Sequence, residues 1–371
     1  MMAKERLRAL EECLELDENS LHESMLLEHL VAWDSRAALN VIALADEKMS
    51  LSVTGDQIAE CETVGDLAGL LGDQAEPDTS MTRSRAMIKP DEWDEIVLLL
   101  DKTGVDRDAA AAEVLRNERK SLYEDFNRRL NSLRFGRFAY FLNYGYIPDD
   151  TPTFSVVSLR EGEFDAASRR LVLEVIGDTP LGGRDVLDVS CGRGSVAVIL
   201  QAHFKPRSYL GIDLSEEAVA FCQAHHRREG FEFCAGDAQA LPAGEQCFDV
   251  VINIEASHNY PDIGAFYREL GRTLRPGGRF LYADLMAPEV FDRHVEHLRD
   301  MGFTLLRGVD ITSNVLRSCR ETAERRLRAY SDPEERAYMA HFLAVPGSQT
   351  YRAMEQGLVS YRLYTFLTDR Q

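Results

Sequence analysis

The stretch Val186-Leu-Asp-Val-Ser-Cys-Gly-Arg-Gly-Ser195 (VLDVSCGRGS) decides the fold. Its apolar first half has the length and β-branched content of a buried strand. Gly192 and Gly194 then permit a tight turn and the close approach of a ligand to the backbone before a helix begins. The stretch therefore predicts a strand, a ligand-binding turn and a helix in immediate succession.

Four similar apolar runs follow, and stretches of helical periodicity separate them. The runs are SYLGIDLS at 208–215, FEFCAGDA at 231–238, FDVVINIEAS at 248–257 and GRFLYADL at 278–285. Asp188, Asp213 and Asp237 are 25 and 24 residues apart, which is the length of one strand and one helix. We therefore predict an α/β fold with a parallel sheet, whose ligand lies at the carboxyl ends of the strands.

The acids near the strand ends indicate which ligand the sheet binds. Asp213 follows the glycine turn by 19 residues and is placed to accept hydrogen bonds from ribose hydroxyls. The G-x-G-x-x-A spacing of the turn also satisfies the dinucleotide fingerprint, so a nicotinamide-dependent dehydrogenase fits the turn as well. Asp188, before the glycines, instead puts a carboxylate near a cationic ligand. Asp237, after the third strand, can accept the adenine amino group.

Together with the turn LRPGG at Leu274–Gly278, these features resemble class I S-adenosylmethionine-dependent methyltransferases. The resemblance implies a Rossmann-like sheet with a helical cap and S-adenosylmethionine as cofactor. Within this family, the chain most resembles the enzymes that O-methylate phthiotriol-type polyketide lipids. The segments that carry this resemblance are VLDVSCGRGS, NIEASHNYP, LRPGGRFLYADL and GSQTYRAMEQGLVSYRLYTF. The cofactor-binding residues that it implies are Asp188, Ser190 (in place of the usual first glycine of the turn), Gly192, Gly194, Asp213, Asp237 and Ala238.

The segment Glu255-Ala-Ser-His258 follows the fourth predicted strand and carries the catalytic candidates. A sulfonium methyl is already an electrophile, so the enzyme has to align a nucleophile with it and remove the proton of the attacking hydroxyl. His258 suits the role of base because an imidazole titrates near neutral pH. We expect Glu255 to orient His258 or to bind the substrate.

An aromatic run, FGRFAYFLNYGYI at 135–147, precedes the sheet. Such rings usually form a core, but rings beside a glycine and a proline can also cover a cleft. We therefore name Tyr144 and Tyr146 as candidates for a substrate lid. Further along the chain, His294 and His297 are expected on the exposed side of an amphipathic helix.

The first 80 residues hold −13 of the formal net charge of −20, and apolar residues at helical spacing predict several helices over 1–72. Trp33-Asp34-Ser35 at the start of one helix, followed by TVGDL at 63–67, resembles an acyl carrier domain. The resemblance implies an all-α four-helix bundle with 4′-phosphopantetheine on Ser35. A helix N-terminus favours the phosphodiester, because its free N–H groups and dipole attract an anion. The alternative is that Asp34 and Ser35 only cap the helix.

These assignments divide the chain into four parts. They are an acyl carrier domain at 1–72, a linker at 73–90, a helical lid or substrate cap at 91–180 and the methyltransferase domain at 181–371. A flexible linker of 18 residues has a root-mean-square span of about 21–25 Å. A tethered acyl chain would thus meet the active site at an effective concentration on the order of 1 mM.

Composition excludes several other classes of protein. The excess of acid argues against a protein that binds nucleic acid by neutralising phosphates. Seven cysteines without a CxxC pair indicate neither a disulfide framework nor a zinc site, so we expect no metal. No apolar run reaches the ~18 residues of a membrane span and the charged start lacks a signal-peptide core, so we expect a cytoplasmic protein.

The sequence thus favours O-methylation of a hydroxyl on a polyketide or acyl intermediate, held as a carrier-bound thioester, in natural-product biosynthesis. The expected partners are polyketide or fatty-acid synthase modules and a phosphopantetheinyl transferase. C-methylation at the α carbon of a β-ketoacyl thioester stays open, with the His and Glu pair abstracting a carbon-bound proton. An alternative of another class is a catalytically inactive carrier or docking scaffold.

Overall fold

A computed structural model describes most of the chain, and the helices and strands below belong to that part. The described residues are 3–14, 16–27, 30, 33, 37–38, 40–41, 44–45, 49, 51, 53, 55–72, 109–133, 136, 139–149, 157, 159, 165–328, 330 and 332–369. The predicted linker at 73–90 and the beginning of the predicted lid region lie outside these residues.

The N-terminal part is helical, as predicted. Its helices are α1 (Ala3–Leu14), α2 (Gly55–Glu60) and α3 (Val64–Leu70), and the described residues between 37 and 45 are also helical. Helix α3 begins with a capping box, in which the Asp66 N–H donates to the Thr63 hydroxyl and the Thr63 N–H donates to the Asp66 carboxylate. The acyl carrier assignment of this part stays a prediction, because Asp34 and Ser35 lie outside the described residues.

The larger part is a seven-stranded mixed sheet with helices around it. The strands are β1 (Asp185–Val189), β2 (Ser208–Asp213), β3 (Phe231–Ala235), β4 (Phe248–Ile254), β5 (Leu274–Met286), β6 (Phe303–Asp310) and β7 (Ser360–Thr368). The helices are α4 (Ala109–Ser132), α5 (Ala166–Ile176), α6 (Ser195–His203), α7 (Glu216–His225), α8 (Ile263–Thr273), α9 (Pro288–Asp300), α10 (Thr312–Leu327), α11 (Pro333–Phe342) and α12 (Gln349–Glu355). None of the described helices is long and apolar enough to cross a bilayer.

The strand order is β3-β2-β1-β4-β5-β7-β6, with β1 to β5 parallel and β7 antiparallel to both of its neighbours. The five predicted strands are all present, and the predicted α/β class is confirmed. Strands β6 and β7 are additional to the predicted ones. The aromatic and β-branched run SYRLYTFLT of β7 was the available signal for a strand. Because β1 and β4 are parallel neighbours, the turns that follow them meet at one edge of the sheet.

The N-terminal helices share a hydrophobic cluster with the larger part of the molecule. Buried residues between Leu10 and Leu71 belong to the same cluster as Phe126 on α4 and Met339 on α11, and Phe342 packs against it. The acidic N-terminal part therefore lies beside the helices that cover the sheet edge.

Helix α9 corrects one expectation about histidines. His294 is buried with Phe291 and Leu298, and its ring meets that of Tyr267 edge-on at 5.7 Å. Burial lowers the pKa of His294 to about 4. His294 thus lies on the apolar face of the helix and not on the exposed face, whereas His297 is half-buried.

Candidate active site

A cavity lies at the carboxyl ends of β1, β2, β3 and β4. Its lining includes six of the seven residues named as cofactor-binding, which are Asp188, Ser190, Gly192, Asp213, Asp237 and Ala238. The seventh, Gly194, is the N-cap of α6 directly behind the turn. The topology thus brings the predicted set together, because each residue lies on or just after a strand that ends at this edge.

The turn after β1 has a left-handed backbone at three positions. Ser190, Gly192 and Gly194 have φ values of 58°, 53° and 80°. A Cβ at Gly194 would lie 2.5 Å from Nε2 of His226, so this position requires glycine for space as well as for conformation. Ser190 adopts the conformation that a glycine adopts without strain, and its hydroxyl is 2.6 Å from the Tyr260 hydroxyl.

Asp188 and Asp213 are carboxyls at the ends of neighbouring strands, and Asp188 is buried whereas Asp213 is half-buried. Asp188 accepts a hydrogen bond from the Tyr209 hydroxyl at 2.7 Å, but burial outweighs that bond and raises the pKa of Asp188 to about 8. Asp213 accepts hydrogen bonds from the N–H groups of Gly192 at 2.8 Å and Ser215 at 2.9 Å. Burial still raises the pKa of Asp213 above its usual range. Both sites would therefore favour a cationic ligand, which restores the charged form of each carboxyl.

Helix α4 forms the roof of the cavity. At one end, Nη1 of Arg116 lies 3.2 Å from Oδ2 of Asp237 in an ion pair. At its exposed side, the Glu124 carboxylate accepts hydrogen bonds from the N–H groups of Glu216 and Glu217 and so caps α7. These contacts hold α4 above the strand ends.

Arg193, between Gly192 and Gly194, links the turn after β1 to helix α4 and to the segment that follows α4. Its guanidinium donates to the carbonyls of Ala139 and Gly136 and to the side-chain oxygens of Asn127 and Asn131, over distances of 2.6–3.3 Å. The same group lies 3.5 Å from the centre of the Phe221 ring. Arg193 is 1% exposed, and burial lowers its pKa to about 10.

His258 lies in a one-turn 3₁₀ helix, Ser257–Asn259, that follows β4. Its Nδ1 is 2.6 Å from Oδ1 of Asp284, and its Nε2 is 2.8 Å from the Asn259 amide nitrogen. Burial alone would raise the pKa of Asp284, but His258 and the Ser257 hydroxyl lower it below its usual range. Asp284 is therefore a carboxylate that holds the protonated Nδ1, and Nε2 is left as the acceptor.

Asp284, and not Glu255, thus orients His258. Asp284 lies in β5, 26 residues after His258, and the sequence pattern did not reveal it. His258 does not itself line the cavity, but its neighbour Asn259 does, and Asn259 also donates to the Tyr123 hydroxyl of the roof at 3.0 Å.

Glu255 lines the cavity with a left-handed backbone, at a φ of 51°. Its Oε1 accepts hydrogen bonds from the Tyr144 N–H at 2.9 Å and the Tyr361 hydroxyl at 2.8 Å. Burial outweighs these bonds and raises the pKa of Glu255 to about 7. Glu255 is thus held by the segment before the sheet and by β7, and a role in substrate binding stays a prediction.

Tyr144 and Tyr146, the two candidates for a substrate lid, do not line the cavity. Tyr146 is buried in the main hydrophobic core, and Tyr144 packs against that core with its ring edge-on to Tyr361. From this segment Tyr140, Leu142 and Asn143 line the cavity instead. The backbone N–H of Tyr144 contributes by holding Glu255, so its side chain is not the cover.

Ser35, the predicted attachment site, lies outside the described residues. Among the residues that are described, no three His, Cys, Asp or Glu side chains are grouped as metal ligands would be.

Comparison with known proteins identifies the family. Residues 187–282 match the family described as "Methyltransferase domain". The phthiotriol/phenolphthiotriol dimycocerosates methyltransferase of Mycobacterium tuberculosis is 36% identical over 239 residues, which are 62% of this chain and 85% of that one. The chain belongs to this methyltransferase family. A fatty-acid O-methyltransferase of Mycolicibacterium smegmatis is 31% identical over 69% of this chain and 91% of its own. The solved StiE O-MT structure covers 63% of this chain and 88% of its own, with 21% identity and a TM-score of 0.48.

The methyltransferase is S-adenosylmethionine-dependent, and its cavity suits that donor. The donor carries a sulfonium and an ammonium group, and four carboxyl groups line the cavity, at Asp188, Asp213, Asp237 and Glu255. When bound, the donor supplies an activated methyl group. The chain supplies acceptors for its hydroxyl and amino groups and a negative field for its cationic end.

We expect donor binding to release a proton from Asp188. Below pH 8 the buried carboxyl is largely protonated, and a nearby cation favours the carboxylate, so affinity should rise between pH 6 and pH 7. Calorimetry with S-adenosylmethionine in two buffers of different ionisation enthalpy counts the released protons. Asp188→Asn should release fewer protons than the wild type and show a flatter pH dependence. Equal release from both proteins would contradict this assignment.

Proposed function

We propose that the methyltransferase transfers a methyl group to a hydroxyl of a polyketide or other acyl intermediate that is tethered to a carrier. The observation that carries the proposal is the pair formed by His258 and Asp284, with Nδ1 and Oδ1 2.6 Å apart beside the cavity. An imidazole fixed in this tautomer offers Nε2 as a base. That is the group that a neutral hydroxyl needs when it attacks an activated methyl.

Residues in and beside the cavity have separate roles in the proposed methyl transfer. Asp284 holds the imidazole and stabilises it once it takes up the proton, because the carboxylate is fully buried and fixed by Ser257 and the His258 N–H. Asn259 donates to Nε2 and also lines the cavity, so a substrate hydroxyl takes the place of its amide on Nε2. The apolar walls Phe126, Leu142 and Phe342 exclude water from the acyl chain.

The names of the relatives support a lipid-like acceptor. One is named for phthiotriol and phenolphthiotriol dimycocerosates and the other for fatty acids, the second explicitly as an O-methyltransferase. We therefore assign oxygen, and not carbon, as the methyl acceptor.

The N-terminal part supports delivery by a carrier. It is acidic, it combines Trp33-Asp34-Ser35 with the TVGDL helix start, and its buried residues share a cluster with Phe126 and Phe342 of the cavity wall. The described residues of the N-terminal part thus pack against the wall of the cavity. The proposal implies two partners in the cytoplasm, a phosphopantetheinyl transferase and an upstream acyl synthase. The acidic surface of the N-terminal part would bind basic faces of these proteins.

Replacing either member of the pair should slow the chemical step. We expect His258→Gln to lower kcat by about 10²–10⁴, since it removes the base. Asp284→Asn should also lower kcat, since the imidazole is then no longer held with its proton on Nδ1. Donor affinity, measured by calorimetry, should not change in either variant. His203→Gln, at an exposed position on α6, is the matched control and should keep full activity. Unchanged kcat in His258→Gln would rule out this base.

Intact mass spectrometry tests the tethered substrate. We expect a phosphopantetheinyl transferase and coenzyme A to modify the wild type but not Ser35→Ala. After loading with a hydroxyacyl group, S-adenosylmethionine should add the mass of one methylene for each methyl group transferred, and fragmentation with a deuterated donor should place the label on oxygen. Label on the α carbon would favour C-methylation, and donor binding without any transfer would favour the scaffold. Equal methylation of the free acyl substrate after deletion of residues 1–80 would contradict the tether.

A further inference from the structure

Two aromatic rings separate the cavity from a hydrophobic cluster. Phe126 of α4 and Phe342, the last residue of α11, both line the cavity. Their rings stack, with centroids 4.7 Å apart and planes 22° from parallel. Phe126 is buried in the cluster that joins the N-terminal part to these helices, and Phe342 packs against the same cluster. Both rings thus contact the cavity on one side and packed apolar side chains on the other.

A second, smaller cavity lies behind Phe126, between α4 and α11. Besides Phe126, the apolar residues of its lining are Leu130, Leu133, Tyr330, Tyr338 and Met339. Arg129 and Glu335 also line it, and they join the two helices by an ion pair with Nη2 and Oε1 3.3 Å apart. Because Phe126 lines both cavities, its ring is a partition between them.

The position of Phe126 along α4 places this partition beyond the methyl-transfer end of the cavity. Earlier on the helix, Arg116 pairs with Asp237. The Tyr123 hydroxyl then accepts a hydrogen bond from the side chain of the residue that follows His258. Phe126 comes three residues after Tyr123, so it lies about one helical turn further from Asp237. An acyl chain whose hydroxyl meets His258 can therefore extend away from the donor and towards Phe126.

We propose that Phe126 sets the length of the acyl chain that the methyltransferase accepts. The chain lies along the apolar wall that Leu142 and Phe342 form, and it ends against the Phe126 ring. Each methylene buried on this wall stabilises the complex, whereas a methylene that reaches the ring meets a packed side chain that the cluster holds in place. Phe126 is thus a specificity-determining residue and takes no part in proton transfer. This inference rests on the proposed function, since it requires an acyl acceptor whose hydroxyl lies at His258.

A series of 3-hydroxyacyl thioesters of pantetheine measures the limit, because only the part of the chain beyond the hydroxyl changes in length. For the full-length wild type, kcat/KM should rise about fourfold per added methylene up to one chain length and fall beyond it. In Phe126→Ala the two cavities join, so the maximum should move to longer chains. The first chain that is too long for the wild type should gain at least about tenfold relative to the wild type's best chain. Phe126→Trp should move the maximum to shorter chains, because the larger ring fills part of the cavity.

Leu130→Ala is the matched control. Leu130 lies one turn beyond Phe126 in the same cluster, and it lines the second cavity but not the first. Its truncation also leaves a hole in the cluster, but it should keep the maximum at the wild-type length because the Phe126 ring stays in place.

The length at which one preparation is most active does not depend on how much of it is folded. The same maximum in the wild type, Phe126→Ala and Phe126→Trp would overturn this inference and leave the proposed O-methylation standing. A wild type that methylates no thioester of the series would overturn the proposed function, and this inference with it.

Discussion

The guanidinium of Arg193 is the group on which the rest of the site depends. It arises from the turn after β1, and its hydrogen bonds end on the last turns of α4 and on the segment before the sheet. A buried cation is costly to leave without partners, so turn and roof are stable only together. The turn after β1, which forms the floor of the cavity, therefore also sets the distance between this floor and helix α4.

This coupling explains why unfavourable local features persist at the strand ends. Ser190 and Glu255 hold left-handed backbones, and burial keeps the pKa values of Asp188 and Glu255 far above the ordinary carboxyl range. Each of these features costs stability and faces the same cavity. A cationic donor favours the charged form of these acids. The seven-stranded core and the hydrogen bonds of Arg193 maintain the strained backbone.

The sequence predicted the parts of the site that follow from topology. Acids after successive parallel strands must converge at one edge, so the spacing of Asp188, Asp213 and Asp237 was enough to assign them to one cavity. Arg193 could not be assigned in this way, because the G-x-G spacing does not specify the residue between the glycines and its partners lie more than 50 residues away in the chain. Asp284 was hidden in an apolar strand, and Tyr146 was misassigned because an aromatic run does not reveal which rings face the core. The attachment of a cofactor to Ser35 stays a prediction.

The most direct test of this account is hydrogen exchange, followed by mass spectrometry, in Arg193→Met. The apolar side chain can still cover Phe221, but it leaves the roof carbonyls and amides without their donor. We predict that backbone amides at 127–132 and 139–146 exchange at least about tenfold faster than in the wild type, since one hydrogen bond to a charged group contributes about 1.5–3 kcal/mol. Amides of α9 should be unaffected, and Arg336→Met, at a surface ion pair, should match the wild type. Unchanged exchange at 127–132 and 139–146 in Arg193→Met would contradict the claim that this group holds the roof.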